Sequence, residues 1–218
     1  LIDGISLINV VEGALNEQTG AVIRLRELAS QGASGTIRTF ERQAINLEIS
    51  SLVAEIDRIA ATTEFNGRTL LNGSLAQSVL VSKQIFIQIG INSQSESRLN
   101  LNVELDLSAS NSTQLGINNL SVSTSEDAQT ALDDIAAALE TLNFSRGRTG
   151  ALQNRFAKSL GTLASSIQNL TAANSILRDA DIAEEVALLT RNQIIAQASV
   201  TMVGQTNLAS QRLLDILQ

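Results

Sequence analysis

Hydrophobic residues recur at spacings of three and four along four stretches of the chain, the period of helices that pack in a coiled-coil-like manner. The first stretch comprises Ile8, Val11, Leu15, Val22, Leu25 and Ala29, with Gln18 in the one skipped place. The second comprises Ile45, Ile49, Leu52, Ile56 and Ile59, and the third comprises Ala128, Leu132, Ile135, Leu139 and Leu142. The fourth comprises Leu152, Phe156, Leu160, Leu163, Ile167 and Leu170, and we expect it to continue past Leu177. Each apolar stripe is narrow, and the opposite side of each helix is polar. We therefore interpret the stripes as the core of a helical bundle.

Two short sequences predict where these helices begin and end. Residues 31–36 contain Gly32 and Gly35 and form the kind of loop that ends a helix. Ser123 and Glu126 have the spacing of a capping box, so they predict the start of the third helix.

The middle of the chain has a period of two, which indicates strands with one buried face. Every second residue is a large aliphatic one in two runs, Ile85, Ile87, Ile89 and Ile91, and Leu99, Leu101, Val103, Leu105 and Leu107. In the second run, all the residues between them are polar. The Asn66-Gly67 and Asn72-Gly73 pairs predict tight turns, since both residue types tolerate a positive φ. A chain that leaves the helices and returns should place its N- and C-terminal helices side by side, with the β region at one end.

The last segment, residues 179–218, keeps a helical pattern but carries apolar residues on several faces. Such a helix needs more than one neighbour, and the remaining sequence supplies no obvious spare partner. We therefore expect this segment to require a partner outside the chain. The alternative is a frayed terminus, but frayed ends are seldom this rich in Leu and Ile.

Composition excludes several classes of function. The 218 residues include no His and no Cys, which removes most zinc sites, histidine-based nucleophile systems and disulfides. The net charge is −7 without a basic run, which argues against nucleic acid or an anionic membrane surface as a partner. No apolar run approaches the length of a membrane span.

No catalytic or phosphate-binding motif is present in the sequence. The one tight acidic cluster is Asp179, Asp181, Glu184 and Glu185. It lacks the ligand alternation of a calcium loop and fits the first turns of a helix, where negative charge is favourable. We therefore expect no enzymatic activity, no metal and no cofactor.

Several motifs, read in order, resemble bacterial flagellin. In the first half these are residues 3–6, 12–17, 24–29, 48–49, 55–60 and 62–67, the last reading Thr-Thr-Glu-Phe-Asn-Gly. In the second half they are Gln-Asn-Arg-Phe at 153–156, Asp-Ala-Asp at 179–181, and residues 183–185 and 191–194. The resemblance covers about residues 1–75 and 145–200 and is weak in the β region.

The resemblance implies a mainly α fold, an elongated coiled-coil-like rod of helices with a small β region inserted between its N- and C-terminal helices. Its expected parts are rod helices and a hairpin at 1–75, a variable β region at 76–125, rod helices at 126–178 and a core-type helix at 179–218. It also implies export through the flagellar type III pathway and polymerisation with other flagellin subunits into the extracellular flagellar filament. Flagellins carry further N-terminal residues that pair with the C-terminal segment, so we expect this chain to be truncated and largely monomeric.

Two further partners follow from the resemblance. The family's export chaperone binds the C-terminal segment, and that segment also forms the filament core, so the expected contacts are Ile194, Ile195, Met202, Leu208, Leu213, Leu214 and Leu217. The flagellin-sensing Toll-like receptor is expected to bind Arg24, Leu28, Gln31 and Glu48, which match the family's receptor-binding residues in type and spacing.

Two alternatives stay open. A hook–filament junction protein shares the terminal helices, although the Thr-Glu-Phe-Asn-Gly and Asp-Ala-Asp motifs favour flagellin itself. An adhesin that binds a glycan through the β region is a second alternative, but with Phe65, Phe86 and Phe144 as its nearby aromatics it has little surface for stacking sugars.

Overall fold

The structure is a computed structural model that describes the backbone of residues 1–216 and the side chains of residues 1–178, 182–210 and 212. The chain divides into two compact units, Leu1–Thr162 and Leu163–Gln218. The expected mainly α fold with a small β region is confirmed. Among the described residues, no helix is both long and apolar enough to span a bilayer.

The first two helices form a hairpin, as the periodicity predicts. Helix α1 spans Ile2–Ala33 and helix α2 spans Thr39–Thr62. The stripe positions of both helices are buried, except for Leu52, which is partly buried. Gln18, at the position where the first stripe lacks an apolar residue, is fully buried with them. The residues between the helices form the predicted loop, and the Arg38 backbone N–H donates to Glu41 at 2.9 Å to start α2.

The predicted third, fourth and last helical segments form one continuous helix. This helix, α4, spans Ser125–Ile216 and contributes to both units. A short helix, α3 (Leu101–Leu105), precedes it in the chain. The start of α4 lies one residue later than predicted, since Thr124 and Asp127, rather than Ser123 and Glu126, exchange the two capping bonds at 3.0 Å each. The sequence contains no proline, so nothing forces a break along its length.

Within the first unit, the beginning of α4 packs antiparallel to α1, as expected for N- and C-terminal helices that lie side by side. Ser125 Oγ donates to the Ala33 carbonyl at 2.8 Å, near the end of α1. Arg146, about six turns after Ser125 on α4, places its Nε 3.1 Å from a carboxylate oxygen of Glu12. Phe156 is fully buried near the beginning of α1.

The first Asn-Gly turn forms a hairpin, as predicted. Strands β1 (Glu64–Phe65) and β2 (Arg68–Thr69) pair antiparallel. Asn66 and Gly67 connect them with φ angles of 52° and 73°. These values belong to the tight hairpin turn that an Asn-Gly pair favours. The second pair forms a turn without a hairpin, in which Asn72 Oδ1 accepts from the Ser74 N–H at 3.1 Å.

The prediction of a second strand over residues 99–107 is largely wrong. Strand β3 (Phe86–Gln88) pairs antiparallel with β4 (Arg98–Asn100), but Leu101–Leu105 then forms the short helix α3. Leu101 and Leu105 satisfy a period of two and also lie four residues apart, so both can be buried on one side of a helical turn. Asn100 caps this turn by accepting from the Asn102 N–H, and Asp106 ends it with a φ of 42°.

The middle segment does not gather at one end of the helices, which corrects the expectation for the β region. Ile87 lies against Gly4 near the beginning of α1. Farther along, the Ser110 carbonyl accepts from Gln18 at 2.9 Å, and Val122 packs against Gly32 at the end of α1. Residues 87–122 therefore follow α1 along most of its length.

Candidate functional site

The α1–α2 hairpin brings two of the four predicted receptor-binding residues into direct contact. Arg24 on α1 donates from Nη2 and Nε to Glu48 Oε1 on α2, at 2.8 and 3.0 Å. The same guanidinium donates from Nη1 to Glu27 at 2.9 Å, one helical turn away on α1. The side chains of Arg24 and Glu48 are about half exposed, so the cluster is open to solvent.

The two carboxylates favour the charged form of Arg24. The hydrogen bond to Glu27 and then the bond to Glu48 raise the pKa of Arg24 above its ordinary value. An arginine is already fully charged at neutral pH, so the pairing fixes the direction of the side chain rather than its protonation.

Leu28 and Gln31 lie next to this cluster but differ in accessibility. Both line an open groove of about 600 Å³ between the end of α1 and the beginning of α2, together with Glu48. Leu28 is only 2% exposed, whereas Gln31 is exposed. A partner in the groove would therefore meet Gln31 and Glu48 at the surface and Leu28 as part of the floor.

Sequence reasoning missed two residues at this site. Phe40 lines the same groove and is 80% exposed, an unusual position for a large aromatic side chain. Glu27 shares the Arg24 guanidinium. The sequence did contain a signal for each. Phe40 is an aromatic residue that lies outside the apolar stripe of α2, and Glu27 is a carboxylate three residues after Arg24 on one helix, a spacing that favours an ion pair.

The second unit carries the residues predicted to contact the export chaperone or the filament core, and its large apolar side chains are mostly exposed. None of the described residues from 163 to 210 is buried. Ile194, Ile195, Met202 and Leu208 are 64%, 52%, 69% and 59% exposed. Leu213, Leu214 and Leu217 lie outside the residues whose side chains are described.

The exposed residues of this unit follow two helical stripes. One begins Ile182, Val186 and Leu189, at spacings of four and three. The other comprises Leu188, Ile195 and Met202, spaced by seven. Such spacings place each set along one side of a helix, so the unit presents apolar surface in more than one direction.

Two protein-family models match the chain. The first describes the bacterial flagellin N-terminal helical region and matches residues 2–76. The second describes the bacterial flagellin C-terminal helical region and matches residues 132–217. The two matches cover α1, α2 and the first hairpin, and most of α4.

Curated relatives match almost the whole chain. The flagellar filament 30.7 kDa core protein of Treponema maltophilum is 35% identical over 99% of this chain and 76% of its own length. Flagellin of Bacillus subtilis strain 168 is 36% identical over 99% of this chain and 78% of its own length.

Solved structures of similar fold include flagellin of Bacillus cereus, with a TM-score of 0.58 and 26% identity over 78% of this chain and 92% of that one. FliC from Burkholderia pseudomallei has a TM-score of 0.54 at 17% identity, over 70% of this chain and 99% of that one, and supports the fold alone.

Proposed function

The chain belongs to the bacterial flagellin family, and we propose that it acts as a structural, non-enzymatic subunit of the flagellar filament, outside the cell. The observation that carries this proposal is the exposed apolar surface of the second unit. Large hydrophobic side chains that belong to a lone domain are normally buried, because burying one Leu or Ile contributes about 1.5–3 kcal/mol. A helix with many such side chains exposed is suited to packing against other subunits.

Polymerisation of the full-length protein tests this proposal. We expect long filaments in electron micrographs, and we expect the double substitution Ile194→Asp/Ile195→Asp to abolish them, because buried carboxylates without partners are strongly unfavourable. The conservative control Ile194→Leu/Ile195→Leu keeps the apolar surface and should polymerise. Filaments from the Asp variant with normal yield and length would contradict a role for this helix in assembly.

The same experiment separates a filament subunit from a hook–filament junction protein. A junction protein caps or joins other assemblies, so alone it would give short oligomers or no polymer. Long filaments from the purified protein support the flagellin function, and their absence under conditions that polymerise other flagellins would favour the alternative.

We further propose that the subunit leaves the cell through the flagellar type III pathway with a chaperone on its C-terminal segment. The exposed Ile194, Ile195, Met202 and Leu208 give such a chaperone an apolar contact surface. Leu213, Leu214 and Leu217 extend the proposed contact in the sequence. Co-purification of the flagellar chaperone with the native chain, and its loss in Ile194→Asp/Ile195→Asp, is the expected result. Unchanged co-purification would place the contact elsewhere.

The cluster on the first unit supports a proposed role as a ligand of the flagellin-sensing Toll-like receptor. Arg24 and Glu48 form an exposed pair beside a groove that contains Gln31 at its rim and Leu28 in its floor. We expect Arg24→Ala and Glu48→Ala to abolish signalling in receptor reporter cells while thermal unfolding changes little, because exposed ion pairs contribute little to stability. Arg58→Ala, which removes another exposed ion pair on α2, is the matched control and should signal normally. Normal signalling by both test variants would contradict the assignment.

A further inference from the structure

The outer face of α2 carries an apolar ridge in the first unit. Phe40 and Leu47 are 80% and 71% exposed, although both are large hydrophobic residues. They lie seven residues apart on one helix, so they share a face and are about 10 Å apart along its axis. Ala44 lies between them and is also exposed. We call Phe40, Ala44 and Leu47 the α2 ridge.

A groove of complementary character lies between α1 and α4 of the same unit. Its volume is about 740 Å³, and it is lined by Leu132, Ala136 and Leu139 of α4, with the 63% exposed Phe144 farther along. Arg26 of α1 and Glu140 of α4 also line it. From Leu132 to Phe144 the helix advances about 18 Å, which is long enough to receive the ridge. We call this the α1–α4 groove.

The ridge and the groove lie at similar positions along the axis of α1. The antiparallel pairing of α1 and α2 puts Glu48 beside Arg24 and therefore Leu47 near the same turn of α1. The antiparallel pairing of α1 and α4 puts Ser125 beside Ala33 and Arg146 beside Glu12, so Leu132 lies near Arg26. Copies joined through these surfaces would therefore sit beside each other.

Their charges are also complementary. Glu48, next to Leu47, receives both Arg24 bonds on Oε1, so its second carboxylate oxygen remains available to a basic group. Arg26 in the groove makes no ion pair with any residue whose side chain is described. A ridge placed in the groove of another copy would bring an acidic side chain to an available arginine.

We propose that the α2 ridge of one copy packs into the α1–α4 groove of the next copy. This inference rests on the proposed function, since it specifies one lateral contact between filament subunits. The two surfaces share no residue, so the contact is heterologous, and repetition of a heterologous contact that does not close into a ring gives an open polymer. The ridge supplies the apolar anchors, and Glu48 with Arg26 sets the orientation.

Cysteine cross-linking tests the contact cleanly, because the sequence contains no cysteine. Filaments of the full-length protein carrying Leu47→Cys and Ala136→Cys are treated with a short thiol cross-linker and analysed on denaturing gels. We expect a ladder of covalent oligomers, since each copy would be joined to two neighbours. The matched control pairs Leu47→Cys with Ala137→Cys, an alanine on the same helix that does not line the groove, and should give at most weak dimers.

The rate of thiol labelling provides a second measurement that needs no cross-link. Single Leu47→Cys and Ala136→Cys should each react with a maleimide about tenfold more slowly in filaments than in unassembled subunits, because the centre of an interface excludes water. Filaments that give no ladder, or that label both positions as fast as free subunits do, would overturn the ridge–groove contact and leave the filament function intact. If the unmodified protein forms no filaments, the proposed function itself fails.

Discussion

Arg42 of α2 lies 3.0 Å, at Nη2, from the carbonyl oxygen of Ser34 in the loop after α1. Its Nη1 donates to the Gly32 carbonyl in the last turn of α1. Arg42 is only 8% exposed, and α1 has no basic residue in its own last turn. The second helix therefore supplies the positive charge and the donors that the C-terminus of the first helix requires.

We expect Arg42→Met to destabilise the first unit by about 1–3 kcal/mol, because the buried Gly32 carbonyl loses its Arg42 donor and the part-buried Ser34 carbonyl loses its own. Arg42→Lys should recover only part of this loss, since an ammonium group does not reproduce the planar fork that reaches both carbonyls. Chemical denaturation followed by circular dichroism measures the change. Arg38→Met, at an exposed position in the same loop, is the control, and equal losses for both methionine variants would argue against the bridging role.

Gln18 connects three parts of the first unit from a buried position. Its Nε2 donates to the Ile56 carbonyl of α2 at 3.2 Å and to the Ser110 carbonyl of the middle segment at 2.9 Å. We expect Gln18→Leu to speed hydrogen exchange in residues 110–117 and to lower stability by about 1 kcal/mol, the typical net contribution of a hydrogen bond. Gln43→Leu on the exposed face of α2 should change neither quantity. Exchange that stays as slow as in the unsubstituted protein would show that apolar contacts alone hold the segment.

The helices were predictable because their information is local and repeated. Stripes such as Val11, Leu15 and Leu25 on α1 recur at helical spacing, and each repeat independently indicates the same face. The hairpin at Asn66-Gly67 was predictable for a related reason, since two adjacent residues specify the turn.

The middle segment was less predictable because its structure depends on distant partners. Ser112 is held by Asp57 through bonds of 2.7 and 2.8 Å, and Val122 by Asn46 at 2.9 Å. These pairs are 55 and 76 residues apart, and no short motif encodes them. Helix α3 was missed because alternation at Leu101 and Leu105 fits a strand as well as a helical turn.

At the candidate receptor site, the resemblance identified Arg24 and Glu48, and their contact depends on the register of two helices. Periodicity alone did not indicate that Phe40 would line the same groove or that Glu27 would share the guanidinium. Both features follow from three-dimensional neighbours that a single sequence does not specify.

The exposed pair of Glu55 and Arg58 makes a prediction about pH. Arg58 Nη2 lies 2.6 Å from Glu55 Oε1, and the hydrogen bond lowers the pKa of Glu55 below its ordinary value. A carboxyl group whose pKa is lower in the folded state stabilises the fold above its unfolded pKa, and this contribution is lost as the pH falls through the folded pKa. In an NMR titration, Arg58→Gln should raise the pKa of Glu55 toward its ordinary value, whereas Arg68→Gln should not. A Glu55 pKa that does not respond to Arg58→Gln would mean that the ion pair does not persist in solution.

Two glycines of α1 should respond in opposite ways to the same substitution. A Cβ atom added to Gly32 would lie 2.8 Å from Val122 Cβ, whereas one added to Gly13 would meet nothing within 4 Å. Gly13→Ala should therefore stabilise the first unit by about 0.5–1 kcal/mol, because alanine loses less backbone entropy in a helix. Gly32→Ala should destabilise it by about 1–3 kcal/mol through overpacking.

The double variant Gly32→Ala/Val122→Ala separates steric conflict from other effects of the glycine. Removing the Val122 methyl groups leaves its Cβ in place but lets the segment shift by a few tenths of an ångström, so we expect the double variant to be more stable than the sum of the single changes predicts. Denaturation midpoints of the four proteins give this coupling directly. Strict additivity would show that the close approach of Val122 to α1 does not limit the residue at position 32.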